Sequence, residues 1–211
     1  MFAFLNDQIK ELLLSSASEK TFKKYDFLYM QGDDVSKAFV VSEGWVKISR
    51  INENGGECVV RVAAANESVG EDEILSAKQY GFTAQVITPA LIYQIPKSAY
   101  DMAYKIDKEA VKEAIEQDTQ YSVTADNDIV TDPYIAMGRL VEFLMSIGDN
   151  RSRKEMIVNL PYDKHLVAAR LLMTPETLSR CLKKLKDIGV EIKKNTIFVP
   201  DIHKLVKIAV R

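Results

Sequence analysis

Between Phe27 and Pro96 the chain is a succession of short apolar runs broken by turn-forming residues. The runs are Phe27 to Met30, Ala38 to Val41, Trp45 to Ile51, Val59 to Ala64, Thr83 to Ile87 and Ala90 to Ile95. Gly32-Asp33-Asp34, Glu43-Gly44 and Asn52 to Gly56 punctuate them. Several short strands at this spacing predict a closed or sandwiched antiparallel fold, a small β-roll of jelly-roll type.

From Lys97 to Ile147 the pattern changes to helix formers. Val111, Ala114, Ile115, Ser122, Ala125 and Ile129 recur at spacings near three and four, a thin apolar stripe flanked by acids. Such a stripe either packs against its own domain or forms a dimer seam. Asp132-Pro133 then reads as an N-cap and a first-turn proline, opening a fresh helix that ends before Gly148.

Beyond Arg151 two helical stretches, Asp163 to Leu171 and Pro175 to Ile188, stand about three residues apart, a helix-turn-helix spacing. Past Gly189, Val190 to Lys193 and Thr196 to Val199 alternate around Lys194-Asn195 as a short hairpin. Helix, tight turn, helix and basic hairpin predict a winged helix-turn-helix. The fold class expected is therefore α+β, in three parts. Residues 1–104 form a β-roll with a short helix at its start, 105–131 a long connecting helix, and 132–211 the winged helix-turn-helix.

The second helix of that motif carries the sharpest chemistry. Thr174 is placed to cap it and Pro175 to begin it, where a missing N–H costs nothing. Glu176, Ser179 and Arg180, three and four positions apart, then lie side by side and can enter a major groove together. Arg180 can donate two hydrogen bonds to guanine O6 and N7, or else contact a phosphate. Glu176 can accept from a cytosine amine, although a first-turn glutamate also stabilises a helix N-terminus with no ligand. Thr177 belongs to the same turn, and it and Thr174 are also candidate DNA-binding residues. Lys183, Lys184 and Lys186 further along, with Lys193 and Lys194 at the hairpin tip, are placed to neutralise phosphates.

Charge distribution agrees. Residues 1–132 carry 13 basic against 22 acidic side chains, a net −9, whereas residues 133–211 carry 15 against 8, a net +7. An acidic domain is fused to a basic one, and the basic one is the nucleic-acid partner expected.

Other classes fit poorly. No apolar run approaches a membrane span, and Met1 to Lys10 lacks a basic segment followed by an apolar core, so a cytoplasmic location is expected. Cys58 and Cys181 have no paired spacing, so neither a disulfide framework nor a thiolate metal site is indicated. The two histidines, His165 and His203, lie in the basic half. No nucleophile–base arrangement accompanies them, and an enzyme is not expected.

These residues, taken in order, resemble the Crp/Fnr superfamily of bacterial transcription regulators. The sensor half carries the likeness in Gln31-Gly32-Asp33-Asp34, in Phe39 to Val46 and in Val69-Gly70-Glu71. The basic half carries it in Leu166-Val167-Ala168 and in Glu176-Thr177-Leu178-Ser179-Arg180, followed by Leu182, Leu185 and Gly189. The resemblance implies that residues 1–104 are a cyclic-nucleotide-binding-like β-roll sensor, that 105–131 are a dimerising helix, and that the winged helix reads a palindromic operator in double-stranded DNA as a homodimer. It also implies contact with RNA polymerase. The Glu-x-x-Ser-Arg set resembles the fumarate and nitrate reduction branch, which implies TTGAT-like half-sites. The region from Leu166 to Thr177 resembles the dissimilatory nitrate respiration regulators and their nitrogen-oxide response. The family's usual glycine in the turn is Leu172 here, so a turn of altered geometry is expected.

By the same resemblance the effector pocket centres on Gly70, Glu71, Phe82 and Thr83. Phe82 stands where cyclic-nucleotide binders have an arginine, which removes a charge-assisted phosphate contact and argues against cyclic AMP. Trp45, Tyr80 and Phe82 are placed to fill that site with apolar bulk, although aromatics among strands are usually core. An iron-sulfur cluster lacks its cysteines. Haem is the open alternative, with Cys58, Met30 or a tyrosine as axial ligand because residues 1–164 contain no histidine. An apolar effector or a redox response at Cys58 are the other readings.

Overall fold

The computed structural model describes residues 6–52, 55–123, 132–150 and 154–209. Chain contacts divide it into two compact units, Met1–Asp126 and Asn127–Arg211. No helix among the described residues is long and apolar enough to cross a membrane.

In the first unit α1 (Asp7–Ser15) leads into β1 (Ser18–Phe22), β2 (Phe27–Tyr29), β3 (Lys37–Glu43), β4 (Val46–Ile51), β5 (Glu57–Ala63) and β6 (Ser68–Val69). There follow α2 (Glu71–Ser76), β7 (Thr83–Val86), β8 (Ala90–Pro96), α3 (Lys97–Ile106) and α4 (Lys108–Val123). Antiparallel pairing builds one sheet of order β1-β8-β3-β6 and a second of order β2-β7-β4-β5. Period-two alternation sorts the faces. Phe39 lies opposite Gln94 and Val41 opposite Ile92 in one sheet, Val46 opposite Val86 and Ile48 opposite Ala84 in the other. All eight are buried. The expected runs all contribute strands. β1 and β6 carry little apolar signal: four of the five residues of β1 are exposed, and β6 is two residues long.

The helix expected over 105–131 begins three residues late. Asp107 is extended and its Oδ1 accepts from the Ala110 N–H at 3.0 Å, so it ends α3 and caps α4. A capping aspartate outcompetes helix continuation because its carboxylate satisfies an N–H that would otherwise lack a partner. Val111, Ala114 and Ile115 are buried in the core of the β-roll. This part of the stripe therefore packs within its own unit. The side chains of Ser122, Ala125 and Ile129 lie outside the described residues.

The second unit comprises α5 (Pro133–Ile147), β9 (Asp149–Asn150), β10 (Met156–Asn159), α6 (Lys164–Arg170), α7 (Pro175–Asp187), β11 (Glu191–Lys193), β12 (Thr196–Val199) and α8 (Ile202–Ala209). Asp132 caps α5, its carboxylate accepting from Tyr134 N–H at 2.7 Å and Ile135 N–H at 3.2 Å. The strands form a sheet of order β11-β12-β10-β9, so the expected hairpin is extended by β10, which was not anticipated. Leu140 and Leu144 of α5, Leu185 of α7, Ile197 of β12 and Leu205 of α8 are buried in this unit.

Candidate nucleic-acid interface and effector site

The α6–α7 pair is built by two like-made helix ends. At the end of α6 the Leu172 N–H donates to the Ala169 carbonyl at 3.1 Å and the Met173 N–H to the Ala168 carbonyl at 3.0 Å. This is the Schellman pattern, which requires a left-handed residue at its turn. Leu172 supplies it with φ +53. The expectation of an altered turn is corrected here: the backbone takes the conformation that glycine favours, and the leucine bears the steric cost. At the end of α7 the same pattern recurs at Gly189, φ +96, with Gly189 N–H to Lys186 O and Val190 N–H to Leu185 O.

Thr174 caps α7, accepting from the Thr177 N–H at 3.1 Å, and the two threonine hydroxyls lie 3.1 Å apart. Both are half-buried. Leu178, Cys181, Leu182 and Leu185 bury the opposite face of the helix. Burial and the loss of thiolate solvation push the Cys181 thiol up, so it is a packed side chain. That inner stripe leaves Glu176, Ser179 and Arg180 exposed together on the outer face, followed by Lys183, Lys184 and Lys186. Lys194 stands exposed at the hairpin tip with φ +52. Lys193, the last residue of β11, is exposed too, and its Nζ lies 3.2 Å from Glu191 Oε2, which offsets part of its charge.

A groove of about 600 Å³ runs beside α7, with Leu178, Leu182 and Ile192 as floor and Lys164, His165, Lys183 and Lys186 along it. Lys164 and His165 on α6 had no distinguishing neighbours in sequence. Only the angle between the helices brings them to this face.

In the β-roll, Gly70 adopts φ +84, and a Cβ there would come within 3.3 Å of both the Tyr29 and Tyr80 rings. Those rings stack with centroids 3.8 Å apart. Burial, with Glu73 and Glu71 nearby, drives the Tyr29 phenol well above its ordinary range, so it is a neutral donor. Glu71 is buried, and Ser68 Oγ donates to its Oε1 at 2.5 Å. Thr83 Oγ1 accepts from the Gln31 N–H at 3.0 Å, and Phe82 packs half-buried against the core. Tyr80 is buried beside Tyr29, while Phe82 and Trp45 are both half-buried.

Arg61 of β5 was missed, its signal being one charge inside the run Val59-Val60-Arg61-Val62. Its Nη2 donates to the Ser68 carbonyl at 2.6 Å, and its Nη1 lies 3.8 Å from Glu67 Oε2. Among the candidate haem ligands, Met30 is 50% exposed and Cys58 half-exposed. Neither of these two offers a shielded axial position, whereas the tyrosine alternative has buried candidates in Tyr29 and Tyr80.

Comparison with known proteins agrees with both units. A family model described as cyclic nucleotide-binding domain matches residues 19–107. One described as Crp-like helix-turn-helix domain matches residues 138–208. A candidate cAMP-binding regulatory protein from Silicibacter pomeroyi DSS-3 is 31% identical, with 99% of this chain and 94% of that one covered and a TM-score of 0.73. Electron transport regulator A of Shewanella oneidensis is 23% identical over 94% of this chain and 80% of its own length. The DNR structure from Pseudomonas aeruginosa has 24% identity, coverage of 98% and 92%, and a TM-score of 0.50.

A cyclic-nucleotide-type β-roll with a winged helix-turn-helix defines a DNA-binding transcription regulator. The chain belongs to the Crp/Fnr family.

Proposed function

We propose that the protein acts in the cytoplasm as a homodimer that binds TTGAT-like palindromes through α7, under control of an effector other than cyclic AMP. The carrying observation is that Glu176, Ser179 and Arg180 are exposed together on α7 while its opposite face is buried. Two-fold symmetry would set two such helices into successive major grooves. In this reading Arg180 reads guanine, Glu176 reads cytosine and Ser179 completes the triplet. Lys183, Lys184, Lys193 and Lys194 contact phosphates, and Thr174 and Thr177, at the helix start, are further DNA contacts.

The sensor is residues 1–104, residues 105–131 carry dimer contacts, and 132–211 bind DNA. Gly70, Glu71, Phe82 and Thr83 surround the family's effector position, where Phe82 supplies no phosphate contact. Relatives named for electron transport and anaerobic regulation support a role in an anaerobic response, and a nitrogen-oxide response is the finer reading, carried by the resemblance of residues 166–177. RNA polymerase is the further partner, and no catalytic activity is assigned.

Fluorescence anisotropy with a TTGAT palindrome and a scrambled duplex tests this. Arg180→Ala is expected to lose about 1–3 kcal/mol of discrimination. Equal selectivity in the variant and the parent would refute the role given to Arg180.

A further inference from the structure

The groove beside α7 holds an imidazole, the side-chain type whose charge changes between pH 5 and 8. His165 of α6 is exposed and lines this groove with Lys164 of the same helix, with Lys183, Lys186 and Asp187 of α7, and with Ile192 of β11. Ser179 borders it too, whereas Glu176 and Arg180 do not. The groove therefore lies to the side of the base-reading residues. Phosphates flank the major groove of a duplex, so DNA seated on Glu176 and Arg180 brings its backbone toward these cations.

The charges facing the imidazole are unequal in number. Three ammonium groups, on Lys164, Lys183 and Lys186, stand against the single carboxylate of Asp187. On β11, Ile192 is apolar, and its neighbours Glu191 and Lys193 pair with each other, Lys193 Nζ lying 3.2 Å from Glu191 Oε2. The net positive charge suits a polyanion.

Hydrogen-bond chemistry makes the fit depend on protonation. A phosphodiester oxygen only accepts, while a neutral imidazole has one donor nitrogen and one acceptor nitrogen. The imidazolium donates from both nitrogens and adds a charge-assisted bond, so a phosphate beside the ring favours its protonated form.

We propose that His165 contacts the DNA backbone as an imidazolium, so that duplex binding takes up a proton at this residue and tightens as pH falls through the imidazole range. This rests on the regulator reading for DNA binding itself, but not on the half-site, because phosphate contacts carry no sequence information. His203, the other histidine of the chain, lies exposed on α8 outside the groove and serves as an internal control.

Fluorescence anisotropy of the full chain with a labelled duplex at about pH 6 and about pH 8, at matched ionic strength, tests this. The parent is expected to bind about three- to tenfold more tightly per protomer at the lower pH. Among variants that melt like the parent, His165→Gln should lose most of that ratio and His203→Gln should keep it. His165→Lys carries a fixed charge and should bind at the higher pH about as the parent does at the lower. In the parent the slope of log affinity against log salt should be steeper by about one per protomer at the lower pH, and in His165→Gln it should be the same at both. A pH ratio unchanged in His165→Gln would overturn the proposal, as would a parental salt slope that does not move with pH. Either result leaves DNA binding intact and sinks this proposal alone, whereas binding of no duplex at either pH would overturn the regulator reading as well.

Discussion

Arg139 of α5 donates through Nη1 to the Leu171 carbonyl at 3.2 Å, so the helix preceding the DNA-binding motif is tied to the turn inside it. Leu171 is the C-cap of α6, where carbonyls lack intrahelical partners, and a guanidinium is the donor best suited to such a group. The bond fixes the residues that aim α7. Arg139→Ala is expected to lower stability by about 1 kcal/mol in urea unfolding. Operator affinity should fall severalfold in anisotropy. Lys at this position should recover part of both, and a silent Arg139→Ala in both measurements would show the bond to be idle.

The paired helix ends at Leu172 and Gly189 make a second prediction. Both close by the same two backbone hydrogen bonds with a left-handed residue, but only Gly189 is free of a Cβ penalty. A Cβ at Gly189 meets only Pro200 Cγ at 3.9 Å, so space is not the obstacle and the backbone conformation is. Gly189→Ala should therefore cost about 1–2 kcal/mol. Leu172→Gly relieves the matching penalty but gives up half-buried apolar surface, leaving a net change within about 1 kcal/mol. Paired melting curves check this; a larger loss at Leu172 than at Gly189 would mean that packing, not φ, governs the turn.

Where residue chemistry is local, the fold was legible. Thr174-Pro175 and Asp132-Pro133 both open helices, because capping and proline's fixed φ act within one turn. The exposure of Glu176, Ser179 and Arg180 followed from helical spacing alone. Long-range relationships were not legible. β1 shows four exposed residues in five and exists because β8 pairs with it. Arg61 reaches the Ser68 carbonyl across the β-roll, and Lys37 and Gln94 meet only because β3 and β8 are neighbours. Leu172 shows the complementary limit: its φ is set by the hydrogen bonds of the helix end, which override the residue's own preference.

The basic face predicts a salt signature. Lys183 is exposed on α7 beside Ser179, along the groove that includes Lys164. A lysine that neutralises a phosphate releases about one counterion, so its removal weakens all sequences alike and flattens the salt dependence. Lys183→Ala should reduce the slope of log affinity against log salt by about one per protomer, with selectivity for the palindrome retained. An unchanged slope would place Lys183 off the DNA.

Glu73 of α2 predicts a pH dependence of stability. Burial, reinforced by neighbouring Asp72, raises its carboxyl above the ordinary range, although its backbone hydrogen bonds and Arg61 oppose the shift. The folded state therefore holds a proton that the unfolded state has already released in the window between the two pKa values. Stability falls as pH rises through that window, and the loss is complete above the folded value. Glu73→Gln keeps an Oε1 acceptor for the Gly81 N–H, 3.3 Å away, while removing the charge. The variant should melt higher than the parent at neutral pH, with the advantage vanishing below about pH 4, where both states of the parent are protonated. Melting curves across this range check the sign. A gain of equal size at both ends, or a loss at neutral pH, would show that the Glu73 charge is not what burial penalises.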